Sequence, residues 1–321
     1  MTLQTPPDDR AGHRPAGHTD TVAAVATVTL DGRSVAVTAS SDRTVRRWDL
    51  ATGRQLGPSL TGHGAEVHRV ATGTLDGRPV AVTGAYDETI RLWDVASGAP
   101  IGEPLSDPDG RTVPRAVTAL DGRLLAVTSG GHGSGRPLQV WDVAARERIG
   151  SFPAGRRRSH ADRIVAVALT VLDGRPVAVT SGDDQTVRVW DAATGREIGD
   201  PPTRHFPVRS LATATVDDHP LALLGGDART ARLVDLGTGQ ALGEPLRGHA
   251  DTVNAVALGT VNGRAVAVTG SWDATVRAWD ALTGDQLGAE MAFPAPVHAV
   301  ALAPDGLVAV GFGSELGAFR L

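Results

Sequence analysis

The sequence predicts an all-β fold built from seven copies of one small antiparallel unit. The clearest copy runs from Gly248 to Asp280 and contains three short apolar runs, Val253 to Leu258, Ala265 to Thr269 and Thr275 to Trp279. Runs of this length that are rich in Val and Thr and bounded by Gly, Asn and Asp are typical of strands. The Asn262-Gly263 pair between the first two runs favours the positive φ angles of a tight hairpin turn. One unit is therefore a small meander.

Two features of the unit can be counted along the chain, and both give seven copies. The first is the residue pair between the first two strands, at Asp31-Gly32, Asp76-Gly77, Asp121-Gly122, Asp173-Gly174, Asp217-Asp218, Asn262-Gly263 and Asp305-Gly306. The second is the Trp-Asp pair that ends the third strand, at Trp48-Asp49, Trp93-Asp94, Trp141-Asp142, Trp190-Asp191 and Trp279-Asp280. Val234-Asp235 stands where a sixth pair is expected, and the chain ends at Leu321, near the expected position of the seventh.

A repeat of roughly 40–45 residues, with Gly-His near its start and Trp-Asp near its end, is typical of a propeller blade. The chain therefore resembles the WD-repeat (WD40) β-propeller family over about residues 18–321. This resemblance implies a seven-bladed β-propeller of four-stranded antiparallel blades. Residues 18–321 would form the ring, and residues 1–17 would be an N-terminal segment able to contribute the closing strand.

The resemblance also places the outer strands of six blades, in segments 51–57, 96–102, 144–150, 193–199, 237–243 and 282–288. The seventh unit ends after its third strand, so its outer strand comes from residues 1–10 or is missing. Thr2 to Gln4 are the candidate closing strand, because Leu3 matches the apolar residue of the other outer strands. Each repeat needs its neighbours to bury both faces, so we expect one closed domain.

Composition limits the classes of function. The chain has 31 basic and 36 acidic residues, a net charge of −5, and all its basic residues are Arg. A mildly acidic chain is a poor candidate for a general nucleic-acid binder. The abundance of Arg, Ala, Gly and Val is typical of a GC-rich bacterial genome. No stretch has the length of a transmembrane segment, and the first residues lack the apolar core of a signal peptide, so we expect a cytoplasmic protein without a membrane partner.

We expect no cofactor and no metal. Cys is absent, and the ten His residues show no close metal-ligand spacing. The segment from Gly131 to Gly135 is superficially similar to a phosphate-binding loop, but neither a Lys nor a predicted helix follows it. The Asp-Gly pairs are not followed by the ligand pattern of a calcium loop.

Four units repeat one polar set of a His, a Thr, an Asp and a Trp. The sets are His18, Thr38, Asp42 and Trp48; His63, Thr83, Asp87 and Trp93; His160, Thr180, Asp184 and Trp190; and His249, Thr269, Asp273 and Trp279. A hydroxyl, an imidazole and a carboxylate are also the parts of a nucleophilic triad. A set repeated at fixed intervals, always with an indole N–H that can only donate, favours a structural role instead. The resemblance implies a buried hydrogen-bonded tetrad in each of these units, which would tie the turn after the second strand to the loop before the first.

Three units depart from this pattern. No His precedes Val113 in unit three, whose second turn is lengthened over residues 129–137. Unit five has Leu224, Ala228 and Val234 at the Thr, Asp and Trp positions, and unit seven keeps only the apolar framework. Unit five loses its polar members together, so no partly formed hydrogen-bonded chain leaves buried polar groups without partners. We expect units three, five and seven to be the looser part of the ring.

If the tetrads are structural, function lies on exposed loop residues held by a rigid ring. The resemblance implies a non-enzymatic protein–protein interaction scaffold, a monomeric ring that binds a protein or peptide partner through the loop face around its central channel. The candidate partner-binding residues are Glu66, His68, Tyr86, Arg163, Asp183, Arg209, Asp227, Asn254, Trp272 and His298. Aromatic residues and Arg are favoured as interface anchors, so Tyr86, Arg209 and Trp272 are the first candidates.

Two alternatives stay open at this point. The basic loop at Arg156 to Arg158 is either a solvated connector or a site for an acidic or phosphorylated partner. The other alternative is a propeller enzyme, or a small-ligand or metal binder, that uses the central channel. Such a site needs acidic or His side chains that converge on the axis, and the available ones are Glu66, His68, Asp183, Asp227 and His298.

Overall fold

The computed structural model describes residues 17–106, 112–120, 123–130, 138–152, 164–199, 207–217 and 219–321. Their regular structure is a series of strands in seven antiparallel sheets, and each sheet is a meander of consecutive strands. Each sheet corresponds to one unit of the sequence, so the sheets are called blades one to seven. This architecture confirms the predicted all-β, seven-bladed propeller.

Blade one contains β1 (Val22–Leu30), β2 (Arg33–Ser40), β3 (Val45–Asp49) and β4 (Arg54–Gln55). Blade two contains β5 (Val67–Leu75), β6 (Arg78–Ala85) and β7 (Ile90–Asp94). Blade three contains β8 (Thr112–Leu120), β9 (Arg123–Gly130), β10 (Leu138–Asp142) and β11 (Glu147–Phe152). Blade four contains β12 (Ile164–Leu172), β13 (Arg175–Gly182) and β14 (Val187–Asp191).

Blade five contains β15 (Val208–Val216), β16 (His219–Gly226), β17 (Thr230–Asp235) and β18 (Ala241–Arg247). Blade six contains β19 (Val253–Val261), β20 (Arg264–Ser271), β21 (Thr275–Asp280) and β22 (Met291–Ala292). Blade seven contains β23 (Val297–Leu302), β24 (Leu307–Phe312) and β25 (Glu315–Arg320).

Turn chemistry sets the register of the first two strands. Asp31 and Gly32 have φ angles of 50° and 74°, as a two-residue type I′ hairpin turn requires. Asn262 and Gly263 have φ angles of 50° and 78°. The Asp-Gly pairs of blades two and four have positive φ angles as well. The hairpins predicted from these pairs are therefore confirmed in blades one, two, four and six.

Blade seven differs at this turn. In blade seven, Gly306 has a φ of 81° and the amide of Ala303 donates to the carbonyl of Leu307, so the connection is wider than two residues. The predicted turn pair of blade three, residues 121–122, lies outside the described residues, as does Asp218 of blade five.

The second strand of a blade is buried on both faces. In β2, every residue from Val35 to Ser40 is buried. The physical reason is that each blade lies between two others, and its central strand packs against both. Val37 of blade one, for example, belongs to the same apolar cluster as Ala81 and Trp93 of blade two.

The ring closes by packing of blade one against blade seven. Val22 and Leu50 of blade one share an apolar cluster with Leu307 and Ala309 of blade seven. The amide of Val22 also donates to the carbonyl of Gly313 at 2.7 Å. The first and last units of the sequence are therefore neighbours in space.

The outer strands begin where they were expected but are longer and more broken. In blade one, Gln55 pairs with Trp48, and the edge then continues to Leu60, which forms a bridge with Val45. Between these contacts Gly57 has a φ of 70°, which interrupts regular pairing. In blade one the predicted segment, residues 51–57, therefore covers only the first part of the outer edge.

Blade seven shows three strands among the described residues. The proposed closing strand, Thr2 to Gln4, lies outside those residues and stays a prediction. Phe319 pairs with Val308 in the way that Trp48 pairs with Ala36. The seventh Trp position is thus held by Phe319, two residues before the chain end.

Candidate functional site

The tetrad of blade one forms a continuous hydrogen-bonded chain. The indole N–H of Trp48 donates to Thr38 Oγ1 at 2.9 Å, and Thr38 Oγ1 lies 2.7 Å from His18 Nε2. His18 Nδ1 lies 2.8 Å from Asp42 Oδ2. An ionised carboxylate can only accept, so His18 donates from Nδ1 and accepts the Thr38 proton at Nε2. Thr44, two residues after the Asp, donates to Asp42 Oδ1 at 2.7 Å.

Blades two and six repeat this geometry. His63 lies 3.0 Å from Asp87 and 2.8 Å from Thr83, which accepts from Trp93 at 2.8 Å. The corresponding distances in blade six are 3.0 Å from His249 to Asp273, 2.8 Å from His249 to Thr269, and 2.9 Å from Trp279 to Thr269. In blade four Trp190 donates to Thr180 at 2.7 Å, whereas His160 lies outside the described residues.

The aspartates connect two loops of the same blade. Asp273 stands in the turn after the second strand and accepts from the amide of Ala250, in the loop before the first strand, at 2.8 Å. It also accepts from the hydroxyl of Thr275 at 2.7 Å. This Thr was not singled out in the sequence, although a Thr recurs two residues after each turn Asp, at Thr44, Thr89, Thr186 and Thr275.

Burial and hydrogen bonding set the charge state of these groups. Burial lowers the pKa of His18 and of His249, so both are neutral near pH 7. Burial acts to raise the pKa of Asp273, but the hydrogen bonds from Thr275, Ala250 and His249 outweigh it and lower that pKa to about 2. The Asp87 carboxyl, which accepts from His63 and Thr89, likewise has a lowered pKa against the effect of its burial. The tetrads of blades one and six therefore each hold an ionised Asp and a neutral His.

The Gly of the Gly-His pair is explained by its surroundings. Gly248 has a φ of 146°, and a Cβ there would lie 2.8 Å from the guanidinium of Arg277. Gly62 has a φ of 141°, and a Cβ there would lie 3.1 Å from the guanidinium of Arg91. Only Gly combines this backbone conformation with so close an approach.

The Asp of the Trp-Asp pair serves a different turn. Asp49 Oδ1 accepts from the amide and the hydroxyl of Thr52, at 2.9 and 3.0 Å. The other carboxylate oxygen faces the Arg that follows the hairpin turn: Arg33 lies 3.6 Å from Asp49, and Arg264 lies 2.6 Å from Asp280. These Arg residues were not predicted from the sequence, although the recurring Gly-Arg after the hairpin pair could have indicated them.

The three departing units differ in their interiors. In blade three, Trp141 donates to Thr128 at 3.0 Å. In blade five, Leu224 and Val234 are 0% and 1% exposed. Blade seven has Val310 at the Thr position, and its turn is two residues long, so the Asp position is lost.

The loop face contains most of the candidate partner-binding residues. The first strand of blade two has a β-bulge at His68, and the same register shift occurs at Arg209, Asn254 and His298 in blades five, six and seven. A bulge bends its strand and re-aims a side chain. These four residues therefore share one backbone position.

Backbone hydrogen bonds bring the turn residues beside the start of the first strand. The amide of Tyr86 donates to the carbonyl of Glu66 at 3.0 Å, and that of Trp272 donates to Thr252 at 3.1 Å. The amide of Asp227 makes the same bond to Pro207 at 3.2 Å. The bulge and turn positions thus form one surface, the rim face, made of Glu66, His68, Tyr86, Asp183, Arg209, Asp227, Asn254, Trp272 and His298.

The aromatic and charged members of the rim face differ in how they are held. Tyr86 is 50% exposed and stacks on His68, with ring centroids 4.1 Å apart and an interplanar angle of 13°. Trp272 is 49% exposed. Arg209 forms two hydrogen bonds of 2.9 Å with Asp227, and these bonds raise the pKa of the guanidinium. Tyr86 and Trp272 present ring surface, whereas Arg209 is already engaged.

The other candidates are less prominent. Asn254 Nδ2 donates to the carbonyl of Val297 in the next blade at 3.3 Å, and burial lowers the pKa of His298. Arg163 and the basic loop at Arg156 to Arg158 lie outside the described residues.

The described part of the chain contains no group of three or more His, Asp and Glu side chains placed to hold a metal ion. The channel residues proposed for the alternative function are therefore not brought together as a ligand set. Within the same residues, no helix is apolar and long enough to span a membrane.

The repeated framework and the seven-bladed ring together define a WD-repeat β-propeller. A family model described as WD domain, G-beta repeat, matches residues 12–49, 54–94, 153–191 and 240–280. These stretches include blades one, two, four and six, the blades with a complete tetrad in the sequence. The chain belongs to the WD-repeat family. Comparison with curated proteins gives no match.

Proposed function

We propose that the protein is a non-enzymatic interaction scaffold that binds a protein or peptide partner through the rim face. The observation that carries this proposal is the pair of half-exposed rings, Tyr86 and Trp272. Each ring stands on a turn whose backbone amide is hydrogen-bonded to the start of the first strand. WD-repeat propellers commonly mediate protein interactions, and large aromatic side chains are frequent interface anchors. We also propose that it acts as a monomeric ring in the cytoplasm, which light scattering of the purified protein and fractionation of its source cells would test.

We further propose that the tetrads are internal bracing and not catalytic groups. Thr38 and Thr83 are 0% exposed, so their hydroxyls cannot meet a substrate from solvent. Each hydroxyl is also occupied by an indole donor and an imidazole acceptor. Recognition is then left to the rim face, whose side chains vary between blades while the framework repeats.

The test compares partners captured by the parent protein and by a triple variant, Tyr86→Ala/Arg209→Ala/Trp272→Ala. Captured proteins are identified by mass spectrometry from an extract of the source cells. We expect the triple variant to lose the specific partner or partners of the parent. These substitutions are at exposed positions, so the melting temperature should change little.

A matched control carries Leu242→Ala and Leu282→Ala. These side chains are 36% and 56% exposed but lie near the outer strands, away from the rim face. The control should capture the same partners as the parent. Retention of every partner by the triple variant would show that the rim face is the wrong surface.

A further inference from the structure

Side chains are distributed unevenly around the rim face. Tyr86 of blade two and Trp272 of blade six each occupy the first position of the turn after the second strand. The two blades between them, one and seven, carry Ser41 and Gly313 at that position. Because the ring closes between blades one and seven, the two aromatic side chains stand on either side of a sector with small turn residues.

The same sector carries exposed carboxylates. They are Asp20 in blade one, Glu66 in blade two, Asp251 in blade six and Glu315 in blade seven. One exposed base, Arg43, stands among them in the described turns of these blades. No ion pair to another described residue neutralises Asp20, Glu66 or Asp251. We call this surface, bounded by Tyr86 and Trp272, the acidic sector.

The ring of Tyr86 and the backbone of Glu66 are held in position before any partner binds. Tyr86 is stacked on the buried His68, and its amide is bonded to the carbonyl of Glu66. Beneath them Arg69 donates to the carbonyls of His68 and Arg115, at 2.8 and 2.7 Å. The ring and the Glu66 backbone therefore form a rigid platform, which lowers the entropy lost on binding.

We infer that the acidic sector binds an extended partner segment through its arginine side chains. A guanidinium stacks on aromatic rings and pairs with carboxylates, and this sector offers both at Tyr86 and Glu66 and again at Trp272 and Asp251. Potentials of opposite sign also favour encounter and correct orientation. This inference rests on the proposed function and names the chemistry of the partner.

The probe is a short fluorescent peptide with two arginines separated by Gly and Ser, and its control is the same peptide with neutral citrulline in place of both arginines. Binding is followed by fluorescence anisotropy at low and high salt. We expect the arginine peptide to bind at least about tenfold more tightly than the citrulline peptide, and its affinity to fall as salt rises.

Variants locate the binding surface. Tyr86→Ala/Trp272→Ala should weaken the arginine peptide at least about tenfold, and Glu66→Gln should weaken it about threefold while leaving the Glu66 backbone contact intact. The Leu242→Ala/Leu282→Ala control should bind as the parent does.

Equal binding of the two peptides, absence of measurable binding, or an unchanged affinity in the aromatic variant would each overturn the inference. The proposed function is decided separately, by the partners captured with the triple variant. If the parent protein captures a partner that the triple variant loses, but does not bind the arginine peptide, the proposed scaffold function stands and only the arginine chemistry of the partner is rejected.

Discussion

Blades five and six are neighbours with the same strand pairing and opposite interiors. Leu211 pairs with Leu224 in blade five as Val256 pairs with Thr269 in blade six. Blade six builds a polar tetrad on this frame, whereas blade five fills the Thr and Trp positions with buried Leu224 and Val234. The meander therefore does not require the tetrad.

The two blades differ in where the loops are tied together. In blade six, Asp273 joins the turn to the loop before the first strand beneath the surface. In blade five, Asp227 of the turn pairs with Arg209 of the first strand, and both side chains are more than one third exposed. The same connection is thus made once by a buried chain and once by a surface ion pair, which have very different energies.

The largest effect is expected from Asp273→Ala. The substitution removes the acceptor of His249 Nδ1, of the Ala250 amide and of Thr275. A buried donor left without a partner costs about 1–3 kcal/mol, so the melting temperature should fall clearly while the β-type circular dichroism spectrum is retained.

The matched control is Ala228→Asp, which places the carboxylate at the same turn of blade five. Ala228 is exposed, and Leu224 and Val234 occupy the Thr and Trp positions of that blade, so no tetrad can form and stability should change by less than about 0.5 kcal/mol. An Asp273→Ala protein with the melting curve of the parent would refute the bracing role.

The next effect sharpens the contrast by changing two members of one tetrad. Thr269→Val leaves the Trp279 indole N–H without its acceptor and should cost about 1–3 kcal/mol. Adding Trp279→Phe removes that donor and gives the Val and Phe pair that blade seven carries naturally at Val310 and Phe319. Both single changes break the same hydrogen bond, so the double variant should be less destabilised than their sum, with a coupling of about 0.5 kcal/mol or more in chemical unfolding. Strict additivity would mean that the bond contributes nothing.

A smaller effect is expected from pH. Burial lowers the pKa of His18 and His249 from the ordinary 6.5, so the unfolded chain binds their protons first as pH falls. Their contribution is complete above about pH 6.5 and is lost as pH falls through the folded pKa values. The carboxyl of Asp273, with a pKa of about 2 against an ordinary 3.8, adds a loss only below about pH 4.

The urea concentration at the unfolding midpoint should therefore decrease as the pH is lowered from about 8 to about 5, a range in which the carboxylates do not yet titrate. The described residues of blade five place no His in its interior, so they should contribute nothing to this loss. A midpoint that stays constant down to pH 5 would contradict the assignment of neutral, buried imidazoles.

The sequence predicted what repeats and missed what occurs once. The hairpin pairs and Trp-Asp dipeptides recur, so they gave the blade number and the strand order without any coordinates. Arg47 occurs where blades two and four have Leu92 and Val189, and it is buried with its NH1 group donating to the carbonyls of Val95 and Ala96. No periodic pattern could indicate that contact between blades.

The candidate site shows the same division. Alignment to the repeat placed Tyr86 and Trp272 at one turn position, which the structure shows as exposed rings. The stacking of Tyr86 on His68 and the pairing of Arg209 with Asp227 depend on two positions of one blade. Such pairs are set by side-chain geometry and could not be predicted from the spacing of repeats.

The smallest effect is expected where blade five makes its connection at the surface. Arg209→Ala removes two hydrogen bonds to Asp227, yet both groups are solvated on the rim and regain water when separated. Exposed ion pairs contribute about 0–1 kcal/mol, so the melting temperature should change far less than with Asp273→Ala. Asp227→Ala is the reciprocal variant and should match it within error, because neither partner is left in a dry interior. A loss of stability as large as that of Asp273→Ala would mean that the ion pair stabilises blade five as strongly as the tetrad stabilises blade six. Arg209 would then be a structural residue and not a partner-binding one.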